Sequence, residues 1–182
     1  MGSRMGGDED PAAVFERLFA AHYWAVRSYV LRRAPSAAVE DVVAETFLVA
    51  WRRPDAVRDD PLPWLFGVAR RVLANQHRAD RRRGALTTRL QSLAGRPTLG
   101  WEPPAEMSAG LAAAMAELSA REREALLLVA WEGLDPGRAA RAAGCSPAAF
   151  RVRLHRARQR VADHLAQSAD SRPQSPITEG TP

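Results

Sequence analysis

Apolar side chains in this chain recur every three or four residues, and nowhere do they alternate over the length of a strand. From Asp10, an N-cap followed by a proline suited to the first helical position, the series is Phe15, Leu18, Phe19, His22, Tyr23, Val26, Tyr29 and Val30. Ala34-Pro35 ends this helix and Ser36 is placed to cap the next. The inward set of residues 37–53 is Val39, Val42, Val43, Thr46, Phe47, Ala50 and Trp51, with Asp41, Glu45 and Arg52 on another face. After a loop at 54–62 with three Asp and two Pro, Asp60-Pro61 starts a helix to about Arg83, with Gly84 as its C-terminal cap. Its stripe is Leu65, Val68, Ala69, Val72 and Leu73. Three such helices close a small helical domain.

Residues 85–107 contain Gly95, Pro97, Gly100, Pro103 and Pro104 with little periodicity, which predicts a flexible linker. Periodicity then resumes. Ser108 is placed to cap a short helix through Leu111, Met115 and Leu118, and Ser119 with Glu122 forms a capping box for one through Leu126, Leu127 and Trp131. Asp135-Pro136 starts a short helix that Gly144 ends, and Ser146-Pro147 starts a last one to about Ala166. The predicted fold is all-α: two small helical domains at 13–84 and 112–166, joined by a flexible linker at 85–111. Residues 1–12 and 167–182 are Gly-, Pro- or polar-rich and are expected to be disordered.

Composition alone adds little. All 26 basic residues are Arg and Ala is abundant, which GC-rich coding explains without any nucleic acid. The placement of charge says more. Residues 51–84 hold nine Arg against four acids and residues 147–166 hold five Arg against one, whereas the remaining segments nearly balance. Two separated basic helices suggest two contacts with one polyanion. One Cys excludes a disulfide framework and thiolate metal sites, and the scattered His22, His77, His155 and His164 have no metal-ligand spacing with a carboxylate. No Gly-rich phosphate loop or Gly-x-Ser-x-Gly motif occurs, so no enzyme and no cofactor are expected. No apolar run approaches a membrane span and no secretory leader pattern opens the chain, so a soluble cytoplasmic protein is expected.

Residues 136–166 have helix-turn-helix spacing, with Gly144-Cys145-Ser146 as the tight turn. On the longer helix Phe150, Leu154, Ala157, Val161 and Leu165 face inward, while Arg151, Val152, His155, Arg156, Arg158 and Gln159 lie elsewhere on its surface. A recognition helix needs this split, because its N-terminal half enters the major groove while the apolar stripe holds it on the domain. Arg pairs with guanine edges or phosphates. A solvated amphipathic helix in a bundle has the same pattern. Cys145 reads as a small packed residue rather than a reactive thiol.

Both halves resemble bacterial sigma factors of the extracytoplasmic-function (ECF) type, within the sigma-70 family. Asp41-Val-Val-Ala-Glu45-Thr-Phe47-Leu-Val-Ala-Trp51-Arg is similar to the family's polymerase-docking helix, and Trp64-Leu-Phe-Gly-Val-Ala-Arg70-Arg71-Val-Leu-Ala-Asn75-Gln-His-Arg78 to its −10 helix. Leu118-Ser-Ala-Arg-Glu-Arg123-Glu-Ala-Leu126 and Phe150-Arg-Val-Arg153-Leu-His-Arg156-Ala-Arg158 resemble the opening and recognition helices of its −35 domain. The sequence departs from the family at Ala44, Arg71, Asn75, Arg138 and Ala149-Phe150, where Gln, Asn, Asp, Glu and Thr-Val are common.

The resemblance implies a transcription initiation factor that performs no covalent chemistry and lends promoter recognition to core RNA polymerase. It implies docking on the polymerase clamp by Asp41, Glu45 and Arg52. It assigns −10 contacts to Trp64, Arg70, Arg71, Asn75 and Arg78, with capture of an unstacked base by the loop 54–62. It assigns −35 contacts to Arg151, Val152, Arg153, His155, Arg156 and Arg158, of which Arg153 and Arg158 suit phosphates or intramolecular partners. An anti-sigma partner is also expected. The alternative is a stand-alone helix-turn-helix regulator of duplex DNA, which leaves the basic helix at 62–83 and its Trp unexplained.

Overall fold

The periodic segments fold into seven α-helices, and no strand occurs among the described residues. The computed structural model describes residues 10–57, 60–87, 103 and 107–170. The first half comprises α1 (Pro11–Leu31), α2 (Val39–Arg52) and α3 (Pro61–Thr87). The second comprises α4 (Ala109–Glu117), α5 (Ala120–Ala130), α6 (Pro136–Ala143) and α7 (Pro147–Asp170). Most of the expected disordered ends and linker lies outside the described residues. Among the described residues of those stretches, Pro11-Ala12, 85–87, 109–111 and 167–170 belong to α1, α3, α4 and α7, whereas Asp10, Pro103, Met107 and Ser108 are not helical.

Several caps are those the sequence specifies. Asp10 Oδ1 accepts from the Ala12 amide at 3.0 Å. Both halves of the Ser119–Glu122 capping box form, and Asp135 Oδ1 accepts from the Gly137 and Arg138 amides at 2.8 and 3.0 Å. Two expectations fail. Ser36 caps no helix with its side chain, because a 3₁₀ turn over Ser36–Ala38 precedes α2. Gly84 does not stop α3, which continues to Thr87. A single interior glycine costs only about 1 kcal/mol against alanine, and the Ala and Leu that follow favour helix.

In the first half α1, α2 and α3 pack around Val26, Val42, Phe47, Leu65 and Val68, all buried. The predicted stripe of α3 is buried throughout, with Phe66 added to it. In the second half α7 packs on α4, α5 and α6 through Phe150, Leu154 and Ala157. Two residues expected to face inward do not: Trp51 is 46% exposed and Leu165 40%.

The sequence leaves open how the two helical halves sit relative to one another, and in the structure they are docked. α3 lies against α6, and one apolar cluster runs from Tyr29 and Phe66 in the first half to Leu128, Leu134 and Ala142 in the second. Small residues allow the close approach. Ala139, Ala140 and Ala142 are buried on α6, and a Cβ placed on Gly67 of α3 would stand 3.5 Å from the Ala142 carbonyl oxygen. Arg70 of α3 donates from Nε to the same carbonyl at 3.2 Å.

Charged groups close both ends of this seam. At one end Arg33 donates from Nε to Glu124 Oε2 at 2.7 Å, and from Nη1 to Glu132 Oε1 at 2.8 Å and the Tyr29 carbonyl at 2.9 Å. The Tyr29 hydroxyl donates to Glu124 Oε1 at 2.8 Å. The Tyr29 ring is stacked on Phe66 at 4.6 Å, and the Arg33 guanidinium carbon lies 3.6 Å from the Tyr29 ring centre. Burial by itself lowers the Arg33 pKa, but Glu124, Tyr29 and Glu132 more than offset it and hold the group above its ordinary value. At the other end Arg138 makes a bidentate pair with Asp60, at 2.9 and 2.8 Å, and Arg141 joins it.

Candidate nucleic-acid interface

The turn between α6 and α7 is built on Gly144, whose φ of +65° places it in the left-handed region. Its amide donates to the Arg141 carbonyl at 3.1 Å, and the Cys145 amide to the Ala140 carbonyl at 3.1 Å. A side chain there would be strained by that φ, and its Cβ, 2.8 Å from Arg70 Nη2, would push the Arg70 guanidinium aside. Ser146 Oγ accepts from the Ala149 amide at 3.2 Å and begins α7. Helix and turn thus form a helix-turn-helix, with α6 as scaffold and α7 as the second helix.

The face of α7 divides as its periodicity predicts. Phe150, Leu154 and Ala157 are buried and hold the helix down. Arg151, Val152, His155, Arg156 and Arg158 are exposed, and Val152 at 51% is an apolar side chain in the middle of a basic face. That combination suits a groove edge, where an apolar group meets a thymine methyl and Arg meets guanine or phosphate. Arg153 differs from the other five: it is half-buried and turns toward α3 and α5. Arg160 pairs with Glu122 at 2.9 Å, and that carboxyl is held below its ordinary pKa mainly by the Ser119 hydroxyl, with Arg160 adding to it.

The candidate residues on α3 are less uniform. Arg71, Asn75 and Arg78 are exposed, and Arg78 donates to Asn75 Oδ1. Arg70 is half-buried in the seam. Trp64 is also half-buried, packed against the main core. Among the described residues the exposed tryptophans are Trp24, Trp51 and Trp131, with Trp24 69% exposed. Part of the expected loop at 54–62 is a 3₁₀ turn, Pro54–Val57. Beside it a groove of about 710 Å³ runs between α1 and the end of α2, lined by Phe15, His22, Trp51, Asp55 and Pro61 among others. Phe15 meets Trp51 edge-on at 5.1 Å. Desolvation lowers the His22 pKa, against the opposing charge of Asp60.

Asp41, Glu45 and Arg52 are exposed on α2, as their periodicity predicts. Sequence reasoning missed Arg33, Glu124, Glu132 and the role of Asp60. Only Arg138 carried a signal, as a cation where the ECF family commonly has Glu. Among the described residues no helix is long and apolar enough to cross a membrane, and no three His, Cys, Asp or Glu side chains are grouped as a metal site.

Seven α-helices among the described residues, a helix-turn-helix and a second basic helix define a two-part, all-α DNA-binding class of protein. Comparison with known proteins narrows this. The family models for "Sigma-70 region 2" and "Sigma-70, region 4" match residues 18–83 and 108–161. The ECF RNA polymerase sigma factor SigL of Mycobacterium tuberculosis is 34% identical over 153 residues, covering 79% of this chain and 84% of that protein. The solved structure of the sigma factor RpoE in complex with the anti-sigma factor NepR, from Bartonella quintana, matches 84% of this chain and 97% of its own, at 25% identity and a TM-score of 0.63. CnrH, solved with the cytosolic domain of CnrY, matches 88% of this chain and 91% of its own at 26% identity and a TM-score of 0.56. The chain therefore belongs to the ECF sigma factors of the sigma-70 family, which are non-enzymatic factors for transcription initiation.

Proposed function

We propose that this sigma factor binds core RNA polymerase in the cytoplasm and directs it to promoters by reading −35 with α7 and −10 with α3 and the turn before it. The observation that carries this reading is the two-faced α7, which is pinned by Phe150, Leu154 and Ala157 and leaves Arg151, Val152, His155 and Arg156 open to a groove. Asp41, Glu45 and Arg52 form the docking face for the polymerase clamp.

Promoter melting by base capture is assigned to the groove beside Pro54–Val57. An unstacked base needs a concave site and an aromatic surface. Trp51 and Phe15 supply that surface, whereas the half-buried Trp64 packs on the core and does not line the groove. Arg71 and Arg78 track phosphates of the same strand, and Asn75 faces the same side of α3.

The docked arrangement is read as a resting form. Elements about 25 base pairs apart lie about 85 Å apart along B-form DNA, while α3, itself about 40 Å long, touches α6 directly. One rigid body of this kind does not span both elements, so polymerase binding has to separate α3 from α6, which frees Arg70 for the −10 strand. An anti-sigma partner is inferred from the neighbour RpoE, whose solved complex contains the anti-sigma factor NepR.

Run-off transcription with bacterial core polymerase on promoter libraries of random sequence and spacer tests the reading. Transcripts selected for two elements at one fixed spacing are expected, and Arg151→Ala should relax selection in the upstream element alone. Tight binding of intact duplex by the protein alone, with no effect on polymerase, would transfer the chain to the stand-alone regulators.

A further inference from the structure

A cavity of about 290 Å³ lies in the seam between the two halves, where α3, α5 and the N-terminal half of α7 converge. Its wall carries Arg70 and His77 from α3, Arg121 and Glu124 from α5, Arg153 from α7, and Arg33. Arg33 and Glu124 satisfy each other, and Arg33 still has Nη2 buried with no hydrogen-bond partner. Arg123 also borders the cavity, but its guanidinium is engaged by the carbonyls of Met115, Ala116 and Leu118. Arg121, Arg153 and His77 make no hydrogen bond or ion pair among the described residues, and Arg70 uses only Nε on the Ala142 carbonyl.

Three guanidiniums and an imidazole thus face one small space with no carboxylate assigned to them. Arg121 is exposed and Arg70 and Arg153 are half-buried, so the three guanidinium charges gathered at one opening repel one another, and an anion entering there relieves that repulsion. Planar guanidiniums favour phosphate, which they hold by paired, charge-assisted hydrogen bonds. The rest of the wall is apolar, including Leu73, Ala74 and Leu127, and the volume is at the low end for small-molecule sites.

We propose that this cavity binds a small phosphorylated molecule, no larger than a nucleoside monophosphate, and that its phosphate bridges α3 of the first half to α5 and α7 of the second. Such a ligand favours the docked form by its differential affinity for it. The two cavity residues also assigned to DNA, Arg70 and Arg153, are then occupied together. The effect on transcription rests on the sigma reading above, whereas the binding itself does not.

Equilibrium dialysis of the full chain against labelled inorganic pyrophosphate, in buffer with physiological salt and no polymerase or DNA, is the test. Saturable binding of one pyrophosphate per chain is expected. Arg70→Gln and Arg121→Gln, one from each half, should each weaken it by about tenfold or more, since each removes a charge-assisted pair. Arg82→Gln, exposed on α3 and away from the cavity, should change it less than about twofold. No saturable binding up to about 1 mM, or equal losses in Arg82→Gln and Arg121→Gln, would overturn the proposal in favour of diffuse charge attraction. Loss in only one of the two cavity variants would place the site within one half and remove the bridge. Equal competition by sulfate would remove the phosphate specificity. Competitive displacement by a short single-stranded oligonucleotide with the same Arg121 dependence would assign the cavity to the DNA backbone instead.

Discussion

The two ends of the interdomain seam solve one problem in opposite ways. At the Arg33 end the charges are buried: the Arg33 side chain is 8% exposed, Glu132 3% and Glu124 16%. At the Asp60 end they are wet, with Arg138 37% exposed and Arg141 62%. A buried pair contributes little net stability when complete, but it is costly to break, because the remaining charge is stranded away from water. A wet cluster is worth at most about 1 kcal/mol and is screened by salt. The first end therefore acts as an all-or-none latch, and the second as a weak, adjustable guide. Under the opening proposed above, a stranded charge also has an escape: it regains water when the seam opens.

That difference orders the expected outcomes. Arg33→Ala, which leaves Glu124 with only the Tyr29 hydroxyl and Glu132 with only Arg32, should remove up to about 3–5 kcal/mol from the docked state. Because opening relieves the penalty, small-angle scattering should show a larger radius of gyration while helical circular dichroism is kept. An unchanged radius would mean that the latch does not hold the halves. Gly67 separates sterics from charge. Gly67→Ala fits, with its Cβ 3.5 Å from the Ala142 oxygen, and should raise the unfolding midpoint through helix propensity by up to about 1 kcal/mol. Gly67→Leu overfills the contact and should weaken docking by about 1–3 kcal/mol with both charged ends intact. If scattering finds it as closed as the wild type, apolar packing is not what sets the α3–α6 distance.

Asp60→Asn should cost about 1 kcal/mol or less, and the difference from wild type should vanish in 1 M salt, where the Debye length falls to about 3 Å. A salt-independent loss would show the Asp60 end to be latch-like as well. The smallest effect is that of pH. Hydrogen bonding to Arg138, with the charges of Arg138 and Arg141, holds the Asp60 carboxyl below its ordinary range. Its contribution is complete above the unfolded carboxylate pKa, about 3.9, and is lost as pH falls through the lower folded value. Docking followed by scattering should be flat from pH 7 to about 5 at this end and loosen only below about 4. A rise in stability on acidification over that lower range would reverse the assigned sign.

Much of the chain was legible in one dimension because its determinants are local. The caps Asp10, Ser119–Glu122, Asp135 and Gly144 act within a few residues, and the stripes Leu65–Leu73 and Phe150–Ala157 follow the helical period. The exposed faces of α2 and α7 came from the same period. Where a local rule failed, a neighbouring preference was stronger, as when a 3₁₀ turn took Ser36 and good helix formers carried α3 past Gly84.

The sequence by itself determined the seven α-helices of the described residues, most of their faces and the helix-turn-helix, since each depends on contacts a few residues apart. Only the tertiary structure decided that the two halves dock, that Arg70 and Trp64 are half-buried rather than open, and that Trp51 lies outward on the groove. Those outcomes depend on pairings such as Arg33 with Glu124 and Asp60 with Arg138, which lie 91 and 78 residues apart in the chain. No period or propensity encodes a partner at that separation. It is fixed only when the small residues of α6 let its backbone approach Gly67, and burial then selects which charges have to meet.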